Sequence, residues 1–294
     1  MTIAIIGTGN MGGAIMRGLI KAGTYRPEEF ICTARTETTL DKIRGYAPGI
    51  RTTRDNASAV AEADIIILAV KPWLVEEVME EIRPSIRKEK QMIVSVAAGV
   101  TLNRLAEMAV ASSPLADAKG ASVATTAGLS APRSAAEQFL DGERPPFVIF
   151  RAIPNTAVEA LCGVTVMAHY GASAEQVALV QGLFAALGYA LVVEEKLIPA
   201  ATSLASCGIA FAMRYIRAAM EGGVELGFRP DEAARLVEHT VKGAATLLLE
   251  SGMHPEVAID KVTTAGGITI KGLNAMEQSG FTAAVIDGLK ASMV

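Results

Sequence analysis

The 294-residue sequence predicts an α/β protein, with a doubly wound sheet first and an all-helical region after it. Three observations lead there. Short apolar runs alternate with helical stretches over the first 194 residues. One of those runs, Asp64 to Val70 (DIIILAV), is continuously apolar, as a parallel strand covered on both faces should be. From Lys196 onward no convincing strand-like run is found.

The first element carries the most information. Ile3 to Ile6 reads as a buried strand that ends directly in Gly7-Thr8-Gly9-Asn10-Met11-Gly12, and an apolar helical stretch, Ala14 to Ile20, follows at once. Gly7 permits the sharp turn, Gly9 lets a pyrophosphate approach the backbone, and Gly12 allows close strand–helix packing. The new helix offers free N–H groups and its positive dipole end to the phosphates. A glycine pattern placed between strand and helix predicts a Rossmann-like dinucleotide site.

Further strands are expected at Phe30 to Thr33, Gln91 to Val96, Phe147 to Arg151, Gly163 to Ala168 and Tyr189 to Val193. Helices are expected between them, including Trp73 to Lys88 and Ala174 to Leu187. Repeated β–α alternation is the pattern of a doubly wound sheet. The pattern changes near Glu194-Glu195, which divides the chain into 1–194, a dinucleotide-binding domain, and 195–294, a helical domain. Helices are expected at 199–226, 231–252, 255–262, 268–279 and 281–291, punctuated by Arg229-Pro230-Asp231 and by Gly252 to Pro255. So many small apolar residues imply a surface buried against a second copy of the chain. Residues 109–146 are rich in Ala, Ser, Gly and Pro and hold almost no large side chains. They are expected to form a mobile surface insertion, with a lid over the active site as the alternative.

Composition narrows the function classes. The chain is 51% hydrophobic and 20% charged, with a net charge of −4 and a mean hydropathy of +0.35. It has no basic patch, so nucleic acid is not an expected partner. No apolar run is seen to approach the ~20 residues of a membrane span, and no basic leader precedes the first strand. Cys32, Cys162 and Cys207 are odd in number and far apart, which fits a reducing cytoplasm. His169, His239 and His254 lack metal-ligand spacing, so no metal site is expected.

In an open α/β sheet, ligands sit outside the carboxyl ends of the strands. Four strand-end segments then come forward: Gly7 to Met11, Ala34-Arg35-Thr36, Lys71-Pro72 and Ala97-Ala98-Gly99. A carboxylate at the second strand end would bind the ribose hydroxyls of NAD, whereas an arginine accommodates the phosphate of NADP. Arg35 stands there, flanked by Thr33 and Thr36, and favours NADPH over NADH. No nucleophilic triad and no loop-borne carboxylate pair is evident. Lys71 is a candidate acid, or is held beside the nicotinamide or fixed ahead of Pro72. The scarcity of acid–base groups suits hydride transfer, where the cofactor carries the hard chemistry. In the helical half, Thr263-Thr264-Ala265-Gly266-Gly267-Ile268-Thr269 precedes a helix starting near Ile268. Two glycines at a helix start make a second anion site, with a substrate carboxylate as the natural ligand, or a simple interhelical turn.

Together these pieces resemble the pyrroline-5-carboxylate reductases, which reduce a cyclic imine to proline with NADPH or NADH. The matching stretches are GTGNM at 7–11, Asp55-Asn56, AVKP at 69–72, SVAAGV at 95–100 and Arg151-Ala152-Ile153-Pro154-Asn155-Thr156. Gly222 to Gly227 and Gly266-Gly267-Ile268-Thr269 also match. The resemblance implies cofactor contacts from Gly7, Thr8, Gly9, Asn10, Met11, Arg35, Thr36, Asn56, Ala69, Val70, Lys71, Pro72, Ala97, Ala98 and Gly99. It implies that Gly266, Gly267, Ile268 and Thr269 hold the substrate carboxylate, and that the helical domain forms a homodimer or a larger homo-oligomer. The departures cluster on the substrate side. The family's Ser-Pro-Gly-Gly is Thr264-Ala265-Gly266-Gly267 here, and its Asn-Thr-Pro is Asn155-Thr156-Ala157. A family Glu falls on Cys162, the SGSGPAY stretch on Ala205 to Phe211, and a Thr near the substrate on Arg214. Arg214 and Lys71 are the catalytic candidates. The expected activity is NADPH-dependent reduction of 1-pyrroline-5-carboxylate to L-proline. The alternatives are a reductase of another small carboxylated imine or ketone, and a non-catalytic nucleotide-binding regulator.

Overall fold

A computed structural model describes residues 1–87, 90–110 and 147–293. The chain forms two compact units, Met1–Ala201 and Thr202–Val294.

In the first unit, eight strands form one sheet in the order β3-β2-β1-β4-β5-β6-β7-β8. They are β1 (Ile3–Ile6), β2 (Phe30–Thr33), β3 (Arg51–Thr53), β4 (Ile65–Leu68), β5 (Met92–Ser95), β6 (Val148–Pro154), β7 (Gly163–Tyr170) and β8 (Gly188–Val192). Strands β1 to β6 pair in parallel throughout. The intervening helices are α1 (Asn10–Lys21), α2 (Glu37–Tyr46), α3 (Asn56–Glu62), α4 (Val75–Ile82) and α5 (Leu102–Val110). The helix Ala174–Ala185 lies between β7 and β8.

Period-two alternation explains why the strands are apolar throughout. Ile66 and Leu68 of β4 join the core on one face of the sheet, with Ala4, Ile6 and Ile93. Ile65 and Ile67 join the core on the other, with Ile3, Ile5 and Val94. Both faces are covered, so no position of the central strands can be polar without a cost. Each of these fully buried Ile and Leu side chains stabilises the fold by about 1.5–3 kcal/mol relative to exposure.

β7 departs from the parallel pattern and pairs antiparallel with β6, Ile149 opposite Tyr170 and Pro154 opposite Thr165. Only residues 155–162 join the two strands, whereas a parallel crossover takes roughly a dozen residues or more. A short 3-10 turn, Thr156–Ala160, and a left-handed Leu161 (φ 60°) make the reversal. β3 was not among the expected strands. Its three residues, Arg51-Thr52-Thr53, carry no apolar pattern because it is an edge strand with exposed and half-buried positions. The single helix expected over Trp73 to Lys88 is broken: α4 runs only from Val75 to Ile82, between short 3-10 turns at Pro72–Leu74 and Arg83–Ser85. Pro84 removes a donor and cannot continue an α-helix. Of the expected insertion at 109–146, Ala109 and Val110 close α5, and 111–146 lie outside the described residues.

The division of the chain at 201/202 falls seven residues after the expected 194/195 and inside one helical stretch, Glu195–Glu225. The first turns of that stretch belong to the sheet unit because Ile198 is fully buried in its core. This stretch also corrects the hydropathy reading. It is one helix of 31 residues whose most apolar window has a mean hydropathy of 1.4, which by length and composition is enough to cross a membrane. Its apolar residues are interleaved with Ala, Ser and Gly, so no bulky run marks it in the sequence.

In the second unit a π-helical segment, Thr202–Cys207, leads into helix Gly208–Glu225. Helices Pro230–Ser251, Pro255–Val262, Ile268–Gln278 and Phe281–Ala291 follow, within a residue or two of the expected spans. Among its described residues only Ser203 and Ala233 are buried in the isolated chain. Leu226, Leu249 and Ile268 are more than four-fifths exposed, at 83, 85 and 87%.

One part-buried ion pair ties the end of the first unit to its sheet. Arg151 on β6 is only 8% exposed, and its Nη1 donates to Glu195 Oε1 at 2.9 Å. The same carboxylate oxygen accepts the backbone N–H of Leu102, the first residue of α5, at 2.7 Å. Removing one member of a buried pair strands the other charge. Glu195→Ala should therefore cost about 1–3 kcal/mol of stability, less than for a fully buried pair because Glu195 is partly solvated, and Glu195→Gln, which keeps an acceptor, should cost less. Urea unfolding of both variants checks the order.

Candidate active site

The sheet order reverses direction at β1. The chain leaves β1 for β2 and β3 on one side and returns to β4 on the other. A crevice at the carboxyl ends of strands on either side of such a switch point is where an open α/β sheet accepts ligands. A cavity of about 880 Å³ lies at these strand ends. That volume is in the upper range for small-molecule and cofactor sites.

The glycine turn builds its floor. Gly7 has φ +86°, and a Cβ there would lie 2.6 Å from Val70 Cγ1 and 3.2 Å from the Val70 nitrogen. A Cβ on Gly12 would lie 2.9 Å from the Gly7 carbonyl oxygen and 3.0 Å from Ile5 Cγ2. Gly7 and Gly12 are therefore fixed by protein packing. Gly9 differs: a Cβ there would meet no protein atom within 4 Å. Its bare backbone borders open space at the start of α1, where the first N–H groups of a helix have no intrahelical acceptor. The turn is locked to β2, because Thr8 N–H donates to the Thr33 carbonyl at 2.7 Å and Gly7 N–H to Thr33 Oγ1 at 3.1 Å.

Of the fifteen positions that the resemblance assigns to the cofactor, all but Gly99 line this one cavity. Gly7 to Met11 come from the β1 turn, Arg35 and Thr36 from the end of β2, and Asn56 from the start of α3. Ala69 to Pro72 follow β4, and Ala97 and Ala98 follow β5. Gly99 (φ +80°) makes the turn behind its two neighbours. The cavity also has walls that sequence reasoning did not assign: Thr39, Arg54, Leu74, Glu77, Val78 and Glu81. Glu77 and Glu81 are four apart on α4, one helical face, and that spacing was legible. Arg54 directly follows β3 and was missed with it.

Charge is distributed unevenly around the opening. Arg35 and Arg54 leave the ends of β2 and β3. Glu77 and Glu81 stand on α4, and Glu81 Oε2 accepts a hydrogen bond from Asn56 Nδ2 at 2.8 Å. That bond fixes the Asn56 amide, leaving its oxygen as the acceptor it can offer. Cys32, beneath this end of the sheet, is no reactive group: burial pushes its thiol up to about 12, so it stays protonated.

The residues expected on the substrate side lie in the second unit, and the cavity lining lies wholly in the first. Gly266 is left-handed (φ +72°), Gly267 N–H donates to the Thr264 carbonyl at 2.9 Å, and helix Ile268–Gln278 starts immediately after. Gly267 is its N-cap and brings no side chain, so this helix start has amides open to an anion. Thr269 is exposed on the first turn, and Arg214 is exposed on helix Gly208–Glu225. Among the described residues no group of three His, Cys, Asp or Glu side chains is arranged to hold a metal ion.

This geometry suits an elongated anion-bearing dinucleotide. The bare Gly9 backbone opens on the space a diphosphate needs, and two arginines wait further along the same cavity. Comparison with known proteins gives the same result from an independent direction. A family model described as "Pyrroline-5-carboxylate reductase dimerisation" matches residues 195–294, and one described as "NADP oxidoreductase coenzyme F420-dependent" matches residues 2–99. A protein of Methanosarcina acetivorans named pyrroline-5-carboxylate reductase is 34% identical over 98% of this chain and 93% of its own length. "Pyrroline-5-carboxylate reductase 1" of Dictyostelium discoideum is 33% identical over 99% of this chain, which spans about half (48%) of that longer protein. A solved structure of a pyrroline-5-carboxylate reductase from Coxiella burnetii superposes with a TM-score of 0.82 at 27% identity, covering 99% of this chain and 96% of that one. The chain belongs to the pyrroline-5-carboxylate reductase family.

Proposed function

We propose that this chain is an oxidoreductase that reduces the C=N bond of 1-pyrroline-5-carboxylate to L-proline with NADPH, the last step of proline biosynthesis. The observation that carries the reading is the cavity at the switch point, lined by the glycine turn and by strand-end residues of the family pattern. The name of the family model over residues 2–99 supports NADPH as the cofactor; NADH is a second candidate donor. NADPH, when bound, supplies the hydride.

The chain's own residues do the rest. The Gly9 backbone and the first amides of α1 hold the diphosphate, helped by the positive end of the helix. Arg35 and Thr36 hold the adenosine end, Asn56 is oriented there by Glu81, and Ala69 to Pro72 with Ala97 to Gly99 line the remainder. The open amides at the start of helix Ile268–Gln278, beside the bare backbone of Gly266 and Gly267, and the Thr269 hydroxyl hold the carboxylate of the imine. Lys71 lines the cavity and is one candidate for moving a proton. Arg214 is better read as a carboxylate clamp. Beside a protonated iminium, two like charges ~4 Å apart at an effective dielectric of ~20 would repel by about 4 kcal/mol. The chain acts as a homo-oligomer, at least a dimer, through residues 195–294. The nearly coreless second unit supports this, since its apolar side chains are exposed in the isolated chain. The three free thiols, Cys32, Cys162 and Cys207, support a reducing cytoplasm.

The purified chain should oxidise NADPH only when pyrroline-5-carboxylate is added, and proline should accumulate in step; NADPH oxidation without proline would sink the reading. Thr269→Val keeps shape and removes the hydroxyl. It should raise KM for the imine by roughly tenfold, as for a lost charge-assisted hydrogen bond, with KM for NADPH little changed.

Substitutions in the glycine turn should separate folding from binding. Gly7→Ala meets Val70 and a left-handed backbone, and should cost about 2–4 kcal/mol of stability. Gly9→Ala has room within the protein. It should leave the unfolding midpoint nearly unchanged but weaken NADPH binding at least roughly tenfold by blocking the diphosphate. Calorimetric titration and urea melts of the pair distinguish the two effects.

Assembly is checked by sedimentation. At micromolar concentration the full chain should run as a dimer or larger, and a monomer with full reductase activity would contradict the proposed role of residues 195–294.

A further inference from the structure

Nearly every described arginine of the first unit has a partner. Arg17 pairs with Glu159, Arg26 with Glu29, Arg44 with Glu37 and Asp41, and Arg51 with Glu62. Arg104 pairs with Glu76 and Glu107, and Arg151 with Glu195. Arg83 and Arg87 donate to the backbone carbonyls of Met108 and Ala63. Among these described residues, Arg35 and Arg54 stand apart: neither has an ion pair or a side-chain hydrogen bond, and both line the cavity at the strand ends.

The topology brings them together. Thr33 of β2 and Thr53 of β3 are register partners in a parallel pair. Arg54 follows Thr53 directly, and Arg35 follows Thr33 by two. The two residues therefore leave adjacent strands, about 4.8 Å apart, in the same direction. The carboxylates nearest in sequence are engaged elsewhere. Glu37 is bound by Arg44, and Asp55 Oδ1 accepts the Ser58 N–H at 3.0 Å as the N-cap of α3. Two guanidinium groups facing one opening repel each other unless an anion lies between them. Thr36 and Thr39, whose hydroxyls are 2.8 Å apart on the same wall, add donors.

We propose that Arg54, with Arg35, forms a two-arginine clamp that recognises the 2′-phosphate of the nucleotide, and that Arg54 is a determinant of NADPH over NADH. The inference rests on the reading of the cavity as a nicotinamide-cofactor site. The diphosphate has its own seat at Gly9 and the start of α1, so the clamp is left for a second phosphate. A planar guanidinium presents paired N–H donors that match phosphate oxygens, which an ammonium does not.

The test uses the full chain, its Arg54→Gln variant, and Arg51→Gln as a control. Arg51 is on the same strand but pairs with Glu62 and does not line the cavity. Calorimetric titration with adenosine 2′-monophosphate, adenosine 5′-monophosphate and inorganic phosphate is run beside steady-state ratios of kcat/KM for NADPH and NADH. Arg54→Gln should weaken the 2′-phosphate nucleotide roughly tenfold and lower the NADPH:NADH ratio by a similar factor. The 5′-phosphate nucleotide and the Arg51→Gln protein should be unaffected. Equal weakening of both nucleotides, no change in either, or free phosphate binding as tightly as the 2′-phosphate nucleotide would each overturn the clamp. If the unmodified chain turns over no imine with either cofactor, the reductase reading fails. The nucleotide titrations still judge the clamp, so the two failures are distinguishable.

Discussion

The close approach of the β1 turn to the end of β4 is the contact on which the rest of the first unit depends. A methyl group at Gly7 would overlap Val70, and one at Gly12 would overlap the Gly7 carbonyl. With both positions bare, α1 can start directly off the strand end and lie against the sheet. Three consequences follow from that one steric allowance. The cavity floor is backbone, not side chain, so an anion can reach amide groups. The turn can bond back to Thr33, which sets the end of β2 beside the end of β1. The segment after β4, Ala69 to Pro72, is held against the same opening. A cavity at a switch point follows from topology alone, but a floor of open backbone amides depends on these two glycines.

Electrostatics then divides the opening into ends. Most charges on this unit are neutralised in pairs, and exposed pairs of that kind contribute little to stability, typically 0–1 kcal/mol each. Their value here is to leave a remainder. Once Glu37, Glu62 and Asp55 are engaged, Arg35 and Arg54 leave positive charge at the ends of β2 and β3, Lys71 adds a third cation after β4, and Glu77 and Glu81 stand on the α4 wall. An asymmetric ligand with an anionic phosphate at one end and hydroxyl or amino donors near α4 is the kind that such a cavity orients. The Arg151–Glu195 pair works differently. Its arginine is buried and its carboxylate half-buried, and it fastens the first turn of the long helix to the sheet near the loop that presents Ala97 and Ala98.

Much of this was legible in the sequence, and the gaps have physical causes. The central strands could be read because two-sided burial forces uninterrupted apolar runs, and the glycine turn because its chemistry demands glycine at fixed spacing. The helices after residue 198 were legible from their punctuation, Arg229-Pro230 and Gly252 to Pro255. β3 was hidden because an edge strand needs no apolar face, and Arg54 was hidden with it, since a strand-end loop cannot be recognised before its strand. The antiparallel turn into β7 was hidden because it depends on the length of a connection and not on composition. The long helix was expected from residue 199, but its apolar length escaped notice because small residues break up its bulky side chains.

The two units solve different problems, and this bears on where the chain departs from its family. The first unit encloses its core, and the described residues that line the strand-end cavity all belong to it. The second buries almost nothing by itself, with Leu249 and Ile268 left in the open. On the proposed reading it also carries the groups that hold the imine carboxylate. Nucleotide recognition is then a property of one folded unit, constrained by backbone contacts that tolerate little change at Gly7 and Gly12. Imine recognition rests on an exposed helix start and on side chains such as Thr269 and Arg214, which pack against little within their own chain. Residues under weak packing constraint are free to vary: the motif differences at Ala265, Arg214 and Ala205 to Phe211 fall in this second unit, and those at Ala157 and Cys162 fall at half-buried and exposed positions of the β6–β7 connection in the first. A chain can keep its hydride donor site nearly fixed while its acceptor side drifts, because different physical constraints hold the two sides.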